Sequence, residues 1–188
     1  SAASDVYKRQ GKRLEGASTI TQQVAKNFLL TSEVSLRRKI KEAILAFRIE
    51  KSYSKKRILE LYLNEIYLGN GSYGIAAASL NYFNKSLASL DLHEMAMLAA
   101  LPKAPSTYNP YRNPVKAMKR RNWVLKRLFD EKFIDLDTYS SVLNEQIVLT
   151  KSEKILNDNA SFFKEEVRRE IISKLSLIHI SEPTRPRE

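Results

Sequence analysis

The chain has 188 residues, of which 28% are charged, and it carries a formal net charge of +11 at pH 7. This length allows one domain with a buried core, and the lack of cysteine excludes disulfides and thiolate metal sites. No run of about 18 apolar residues predicts a transmembrane helix, while the positive charge favours phosphate, nucleic acid or an anionic membrane as a partner.

The two ends of the chain differ in character from the rest. Residues 1–10 and 176–188 resemble translated sequencing-adapter sequence, and we expect both to be non-native tails. Ordinary terminal tails are the alternative. In either case we expect them to carry no function.

The spacing of apolar residues is helical over almost all of the remaining chain. It predicts helices over residues 18–30, 36–51, 55–68, 75–83, 92–101, 115–132, 136–145 and 160–174. Residues able to cap a helix stand at several predicted starts: Thr19 with Gln22, Ser35, Ser54, and Asp91 with Glu94. The sequence therefore predicts an all-α domain, in which Leu36, Ile40, Ala43 and Phe47 share one face of the second helix.

Glycines and prolines interrupt this helical pattern at two places. Gly69, Gly71 and Gly74 follow the third predicted helix, and glycine tolerates the positive φ of a tight turn. Residues 102–114 contain four prolines, so they are expected to be a loop or an extended segment. The only strand-like run, residues 146–149, is short.

The segment from Gly16 to Asn27 combines hydroxyls, two adjacent amides and a lysine with few large apolar residues. A purely structural helix would use Leu, Ala, Glu and Lys in this place. Hydrogen-bond donors followed by a point positive charge suit an anionic or polyhydroxylated ligand. The segment resembles the second motif of the peptidoglycan glycosyltransferases (family 51 glycosyltransferases), which form the glycan-polymerising domain of class A penicillin-binding proteins.

Further motifs of this family follow in order, and the resemblance covers about residues 11–145. The matching segments are Arg38–Glu50 for the third motif, Ile58–Asn64, Gly69–Gly74 and Tyr82–Phe83 for the fourth, and Glu94–Pro102 with Pro105 and Pro110 for the fifth. The resemblance implies a lysozyme-like helical domain with a smaller membrane-facing lobe over residues 11–150. It also implies a connector over residues 151–175, toward a missing transpeptidase domain.

One motif of the family has no counterpart in this chain. It is a Glu-Asp pair followed by aromatic residues and a His, and nothing between Ser1 and Glu15 matches it. In the family this motif carries the glutamate assigned as general base. We therefore expect an N-terminally truncated domain that is incomplete as a catalyst.

Glu42 is the candidate catalytic residue. It lies four residues after Arg38, so the two side chains share a helix face. On spacing alone this is a surface ion pair worth about 0.5 kcal/mol. Through the resemblance, Glu42 matches the second catalytic glutamate of the family, and Arg38 matches a residue of the same site.

The resemblance implies polymerisation of glycan chains from lipid II, with inversion at the anomeric carbon and undecaprenyl diphosphate as leaving group. The departing diphosphate gains negative charge and must meet fixed cations. Lys26 and Arg38 are the candidates, and Glu42 would orient them or assist the departing oxygen. A divalent cation, Mg²⁺ or Mn²⁺, could serve the same purpose, but no residues have ligand spacing and no metal site is assigned.

The polar side chains of the second motif are expected to bind sugar hydroxyls, lactyl-peptide carbonyls and phosphates: Ser18, Thr19, Thr21, Gln22 and Gln23. Helix capping with solvated amides is the alternative, and it explains one hydroxyl but not the whole set. Asn64 is polar where Leu or Ala would pack better, so hydrogen bonding to substrate competes with a structural role.

A basic belt follows the second motif: Lys39, Lys41, Arg48, Lys51, Lys55, Lys56 and Arg57. Such a run is typical of a solvated face. The alternative is attraction to anionic headgroups or to the substrate diphosphate, helped by the apolar residues 28–30.

Two other classes of function compete with the glycosyltransferase. One is a basic helical nucleic-acid-binding module, because residues 116–127 resemble a phosphate-contacting helix. The other is a lysozyme-like glycan hydrolase, which also needs two carboxylates. No zinc-finger, homeodomain or aromatic RNA-binding motif is present, so we expect no nucleic-acid partner. The expected partners are lipid II, the growing glycan strand, a membrane surface and moenomycin-type inhibitors, on the periplasmic face of the bacterial inner (cytoplasmic) membrane.

Overall fold

The structure is a computed structural model that describes residues 18–29 and 36–150. Its helices are α1 (Ile20–Leu29), α2 (Leu36–Ser52), α3 (Lys55–Glu65), α4 (Ile75–Phe83), α5 (Leu92–Ala100), α6 (Pro114–Asp130) and α7 (Leu136–Leu143). Single 3₁₀ turns, which the sequence pattern did not predict, occupy Leu87–Ser89 and Leu101–Lys103. This part of the chain forms no β-strand, only an isolated antiparallel bridge between Tyr67 and Tyr73. The predicted all-α class is confirmed for it.

Several sequence predictions lie outside the described residues. They are the two tails, the connector over residues 151–175, the helix over residues 160–174 and the cap at Ser35. Within the described ranges, no helix combines the length and the apolar character needed to cross a bilayer.

Polar side chains fix the starts of three helices where their spacing predicts it. Thr19 Oγ1 accepts a hydrogen bond from Gln22 N–H at 3.1 Å, and Gln22 Oε1 accepts one from Thr19 N–H at 3.2 Å. Ser54 caps α3 through its hydroxyl. Asp91 and Glu94 form a second reciprocal capping box at α5. Such caps satisfy donors that have no partner within the helix, and each contributes about 0.5–2 kcal/mol.

Helices α1, α2 and α3 pack on one another around a first core. Its buried side chains are Val24, Ala25, Leu45, Ala46, Ile49, Ile58, Leu61 and Tyr62. Burying one large aliphatic side chain contributes about 1.5–3 kcal/mol, which offsets the entropy lost when the chain is ordered. This core holds α1, with the second motif, against α2, with the third.

The face of α2 that carries Leu36, Ile40 and Phe47 is exposed, although such periodicity usually marks the side turned to the core. Leu36 is 80% exposed, Ile40 54% and Phe47 59%. The buried side of α2 instead carries Glu42, Leu45, Ala46 and Ile49. Helix α2 is therefore apolar on two sides, and tertiary packing decides which of them faces inward.

The chain turns sharply after α3, which ends at Glu65 rather than at the predicted residue 68. Three consecutive residues then have positive φ: Gly69 (+84°), Asn70 (+51°) and Gly71 (+73°). The turn is closed by a hydrogen bond from Leu68 N–H to the Ser72 carbonyl at 2.9 Å. It brings Tyr67 and Tyr73 together, with ring centroids 5.0 Å apart.

A second core lies among α4, α5 and α6. Its buried side chains are Leu68, Ala78, Tyr82, Phe83, Leu90, Met97, Leu98, Ala100, Leu101 and Ala117. Tyr82 is fully buried and donates its hydroxyl to the Leu68 carbonyl at 3.0 Å, and burial raises the pKa of the Tyr82 phenol. The strand-like run over residues 146–149 forms no strand; Ile147 and Leu149 pack against this core instead.

Helix α7 is held to α6 by a buried guanidinium. Arg121 is fully buried, and it donates to the backbone carbonyls of Glu145 at 2.6 Å and Leu143 at 3.0 Å. Burial lowers the pKa of Arg121. The positive charge of Arg121 thus lies against carbonyls at the C-terminal end of α7, where cations are favoured.

Candidate active site

Glu42 lies on the inner side of α2, with only 1% of its side chain exposed. Arg38 Nε is 3.0 Å from Glu42 Oε1, and Lys39 Nζ is 2.9 Å from Glu42 Oε2. The Arg38 contact has the distance of an ion pair without the alignment of a hydrogen bond, whereas Lys39 donates a hydrogen bond. Glu42 is therefore a buried carboxylate held between two cations, not the surface pair that spacing alone suggests.

The three charges differ in their exposure to water. The Arg38 side chain is 17% exposed and the Lys39 side chain 52%, so water screens Lys39 more strongly. A carboxylate taken out of water is costly unless it is paired. Two cations on one carboxylate leave a net positive charge at this site, which suits an anionic group of a ligand.

Lys39 belongs to this site, although its sequence pattern placed it only in the basic belt. Its Nζ donates to Ser18 Oγ at 3.0 Å as well as to Glu42. It therefore links the segment before α1 to α2, across 21 residues of sequence. The sequence feature that could have assigned Lys39 to the site is its spacing of three residues from Glu42, which places both side chains on one face of a helix.

The polar side chains of the second motif divide into two groups. Ser18 and Gln23 lie together, because Gln23 Nε2 donates to the Ser18 carbonyl at 3.5 Å. Thr19 and Gln22 bond each other in the capping box, so helix capping engages these two. Thr21 is buried. Ser18 is thus the member of the motif that the structure joins directly to the carboxylate site.

Lys26 and Asn64 stand elsewhere on α1 and α3. Lys26 is exposed in the last turn of α1, and Asn64 is partly buried one residue before α3 ends. The Asn64 carbonyl is in close contact with the backbone of Gly74, where an added Cβ would lie 2.4 Å from its oxygen. A phosphate clamp of Lys26 with Arg38, and substrate binding by Asn64, stay predictions.

A second polar cluster lies at the start of α5. Lys85 Nζ donates to Asp91 Oδ2 at 2.7 Å and to Glu94 Oε2 at 2.9 Å. The hydrogen bond and charge of Lys85 lower the pKa of Asp91, and the two acids raise the pKa of Lys85. His93, in the first turn of α5, contacts Glu145 through Nδ1. These side chains line an open cleft of about 510 Å³ and anchor the segment after α7.

The basic helix α6, which suggested nucleic-acid binding, uses several of its cations within the fold. Arg121 is buried, as described above. Two further cations form ion pairs along the helix: Lys126 with Asp130 at 2.8 Å and Arg127 with Glu131 at 2.6 Å. These contacts favour a structural role for this helix over a phosphate-contacting one.

Over residues 18–29 and 36–150, no group of three or more His, Asp or Glu side chains is arranged to hold a metal ion. Dependence on a divalent cation therefore stays a prediction.

Comparison with known proteins places this chain in a family. A family model described as Transglycosylase matches residues 1–129, which is more than half of the chain. The chain belongs to this transglycosylase family. The family predicted from the motifs is thus confirmed, and the second, third, fourth and fifth motifs all lie within the matched residues.

Relatives of this transglycosylase-family chain are much longer than the chain itself. Penicillin-binding protein 1A of Rickettsia felis is 51% identical over 165 residues, which are 88% of this chain. Penicillin-binding protein 1A of Aquifex aeolicus is 51% identical over 152 residues, or 81% of this chain. The chain spans 21% of the length of each. The solved structure of penicillin-binding protein 1A from Haemophilus influenzae is 36% identical, covers 87% of this chain and 21% of its own, and has a TM-score of 0.48.

Proposed function

We propose that this chain is part of a peptidoglycan glycosyltransferase that polymerises glycan chains from lipid II. One observation carries the proposal: Glu42 is buried between Arg38 and Lys39, and Lys39 reaches Ser18 of the second motif. A solvated ion pair would leave the carboxylate exposed and unconnected to that motif. Membership of the transglycosylase family supports the same reaction class.

In the proposed reaction, a hydroxyl of the acceptor sugar forms a bond to C1 of the lipid-linked chain. The bond from C1 to the diphosphate oxygen breaks, undecaprenyl diphosphate leaves, and the anomeric centre inverts. The hydroxyl proton passes to a carboxylate, which the family's first motif supplies and this sequence lacks. We therefore expect the chain by itself to bind ligands but not to polymerise them.

The residues of this chain act on the leaving group in this proposal. Arg38, Lys39 and Lys26 would meet the negative charge that develops on the diphosphate. Both oxygens of Glu42 lie against cations, which suits a carboxylate that orients those cations better than one that accepts a proton. The other proposed substrate-binding residues are Ser18, Thr19, Thr21, Gln22, Gln23 and Asn64.

The chemistry of the proposed substrate also indicates where the protein would act and which other ligands it would bind. Lipid II and the growing strand are amphiphilic, so the site would work at a membrane surface, on the periplasmic side of the inner membrane. Moenomycin-type phosphoglycolipids would occupy the same cationic site. A divalent cation, if one takes part, would add positive charge at the diphosphate, and chelation with EDTA would then lower ligand binding.

A binding experiment on the whole chain tests the cationic site. We expect Lys26→Ala and Arg38→Ala each to weaken binding of a fluorescent moenomycin-type ligand by about tenfold, as the loss of a charged hydrogen bond would. The loss should shrink at high salt, because exposed charges are screened. Lys116→Ala, an exposed lysine on α6, is the matched control. Unchanged affinity in both site variants, measured by fluorescence anisotropy, would refute the proposal that Lys26 and Arg38 bind the diphosphate.

An activity experiment tests the role of Glu42. In a hybrid that carries the corresponding upstream segment of the Rickettsia felis relative, we expect polymerisation of lipid II. Glu42→Gln should lower its rate by about 10²–10³-fold, as the loss of a preorganised group at a transition state does. Polymer formed by the original chain alone would refute our placement of the general base. Hydrolysis of finished glycan, or salt-sensitive binding of duplex DNA, would favour the two competing functions.

A further inference from the structure

An exposed tryptophan and an arginine stand together on the outer side of α6. The side chain of Trp123 is 49% exposed. The guanidinium carbon of Arg120 lies 3.9 Å from the centroid of the Trp123 ring and 5.9 Å from that of Tyr108. Arg120 and Trp123 are three residues apart and so share a helix face, whereas Tyr108 comes from the loop before α6. These three side chains are called here the Trp123 platform.

The backbone beneath the Trp123 platform is fixed by packing. Val124, which follows Trp123, packs against buried side chains of the second core. Arg121, which follows Arg120, is fully buried and donates to two backbone carbonyls. Tyr108 packs against the second core, and its N–H donates to the Ala104 carbonyl at 3.0 Å. A ligand would therefore meet side chains whose positions are largely set beforehand, which lowers the entropy lost on binding.

The charge of Arg120 is held by aromatic rings. Over residues 18–29 and 36–150, its contacts are with the rings of Tyr108 and Trp123, and its buried Nε has no hydrogen-bond partner. Arg127, two turns further along the helix, instead pairs with Glu131 at 2.6 Å. A guanidinium stacked on a ring keeps the planar fork of donors that binds a carboxylate through two parallel hydrogen bonds.

We propose that the Trp123 platform binds a saccharide that carries a carboxylate. The C–H groups on one face of a pyranose ring would cover the exposed part of the Trp123 ring, which removes apolar surface from water. The carboxylate would lie against the fork of Arg120. The combination of an apolar ring and an adjacent cation matches a sugar with an acidic substituent better than it matches a neutral sugar or a simple anion.

The choice of saccharide rests on the proposed function. The glycan strand that a peptidoglycan glycosyltransferase forms consists of pyranose rings whose lactyl groups carry peptides with free carboxylates. Helix α6 packs mainly against α5 and α7, whereas Glu42 lies on α2 beside the first core. The platform would thus give the strand a second contact, separate from the carboxylate site. Two linked contacts keep a polymer near the protein longer than either does alone.

The fluorescence of Trp123 gives a direct test, because it is the only tryptophan in the sequence. The whole chain is titrated with a soluble, lipid-free disaccharide-peptide of peptidoglycan. We expect a saturable change in the tryptophan emission. This probe has no diphosphate, so its binding does not require the cations around Glu42. An oligomer of N-acetylglucosamine, which has no carboxylate, should bind more weakly by about tenfold, as the loss of a charged hydrogen bond would predict.

Two pairs of variants separate the roles of the cation and the ring. Arg120→Gln should weaken binding of the disaccharide-peptide by about tenfold and leave binding of the uncharged oligomer unchanged. Arg127→Gln removes the same charge from the same helix and should change affinity by no more than about twofold. Trp123→Ala, measured by calorimetry, should weaken binding of both ligands by about tenfold or more. Phe133→Ala removes another exposed aromatic side chain, 77% exposed, and is its control.

The inference is overturned if the disaccharide-peptide leaves the emission of Trp123 unchanged, or if the two control variants lose as much affinity as the platform variants. It is also overturned if anionic vesicles or duplex DNA change the emission and the saccharide does not. The proposed function is judged separately. Lys26→Ala and Arg38→Ala should leave the emission change intact. Saccharide binding at the platform without polymerisation by the hybrid would count against the proposed function alone, and polymerisation without such binding against this inference alone.

Discussion

Gly74 joins the turn after α3 to the start of α4, and its replacement has a calculable cost. Its φ of +79° and ψ of 158° lie in a region that is essentially restricted to glycine. A Cβ at this position would lie 2.4 Å from the carbonyl oxygen of Asn64 and 2.9 Å from its carbonyl carbon. These are backbone atoms, which cannot rotate out of the way as a flexible side chain could.

Gly74→Ala is therefore expected to destabilise the fold through two effects. The backbone conformation costs about 1–3 kcal/mol for a residue other than glycine. Overpacking against fixed atoms costs a further ~1–3 kcal/mol. Gly71 provides the matched control, because its φ is +73° but nothing lies within 4 Å of an added Cβ. Gly71→Ala should cost only the ~1–2 kcal/mol of a left-handed conformation.

Thermal unfolding followed by circular dichroism can separate the two variants. A chain of this size loses about 2–4 °C of melting temperature per kcal/mol. We expect a drop of roughly 5–20 °C for Gly74→Ala and roughly 2–8 °C for Gly71→Ala, with the larger drop always in the former. Equal losses in the two variants would refute the steric argument and with it the close contact between Gly74 and Asn64.

Three further predictions concern charged side chains. Arg121→Met should lower the free energy of unfolding by about 2–5 kcal/mol in urea titrations, because two buried backbone carbonyls lose their donor; a loss under 1 kcal/mol would contradict this. Lys85→Met should destabilise the protein at neutral pH but not in acid. Lys85 lowers the pKa of Asp91 in the folded protein below its ordinary value of 3.8. The stability that this ion pair contributes is therefore complete above pH 3.8 and is lost as the pH falls through the lowered pKa of Asp91. A difference in stability between Lys85→Met and the wild type that persists at about pH 2 would refute this prediction. Lys39→Met should weaken binding of a diphosphate ligand and also lower the melting temperature, because the buried Glu42 carboxylate loses a hydrogen-bonding cation; unchanged affinity by anisotropy would exclude Lys39 from the site.

Features that depend on neighbours within four residues were predictable from the sequence. The capping boxes of Thr19 with Gln22 and Asp91 with Glu94 form as predicted, as does the cap at Ser54. The helices begin and end within a few residues of their predicted bounds. Such contacts are made inside one turn of helix, so the spacing of side chains is enough to specify them.

Tertiary structure decided which of two similar surfaces is buried. Both sides of α2 have apolar residues at helical spacing, and only packing against α1 and α3 selects the side with Leu45 and Ile49. The end of α3 was predicted too late for a related reason. Residues 66–68 continue the apolar pattern, but the turn that follows requires them to leave the helix.

In the candidate site, too, some features were predictable from the sequence and others depended on tertiary structure. Spacing alone placed Glu42 beside Arg38, and the family resemblance gave the pair its catalytic interpretation. Lys39 pairs with Glu42 within one turn of α2, whereas the burial of Glu42 and the contact of Lys39 with Ser18 depend on α1 lying against α2. A charge becomes costly or useful according to the water and partners around it, and residues distant in sequence provide those surroundings.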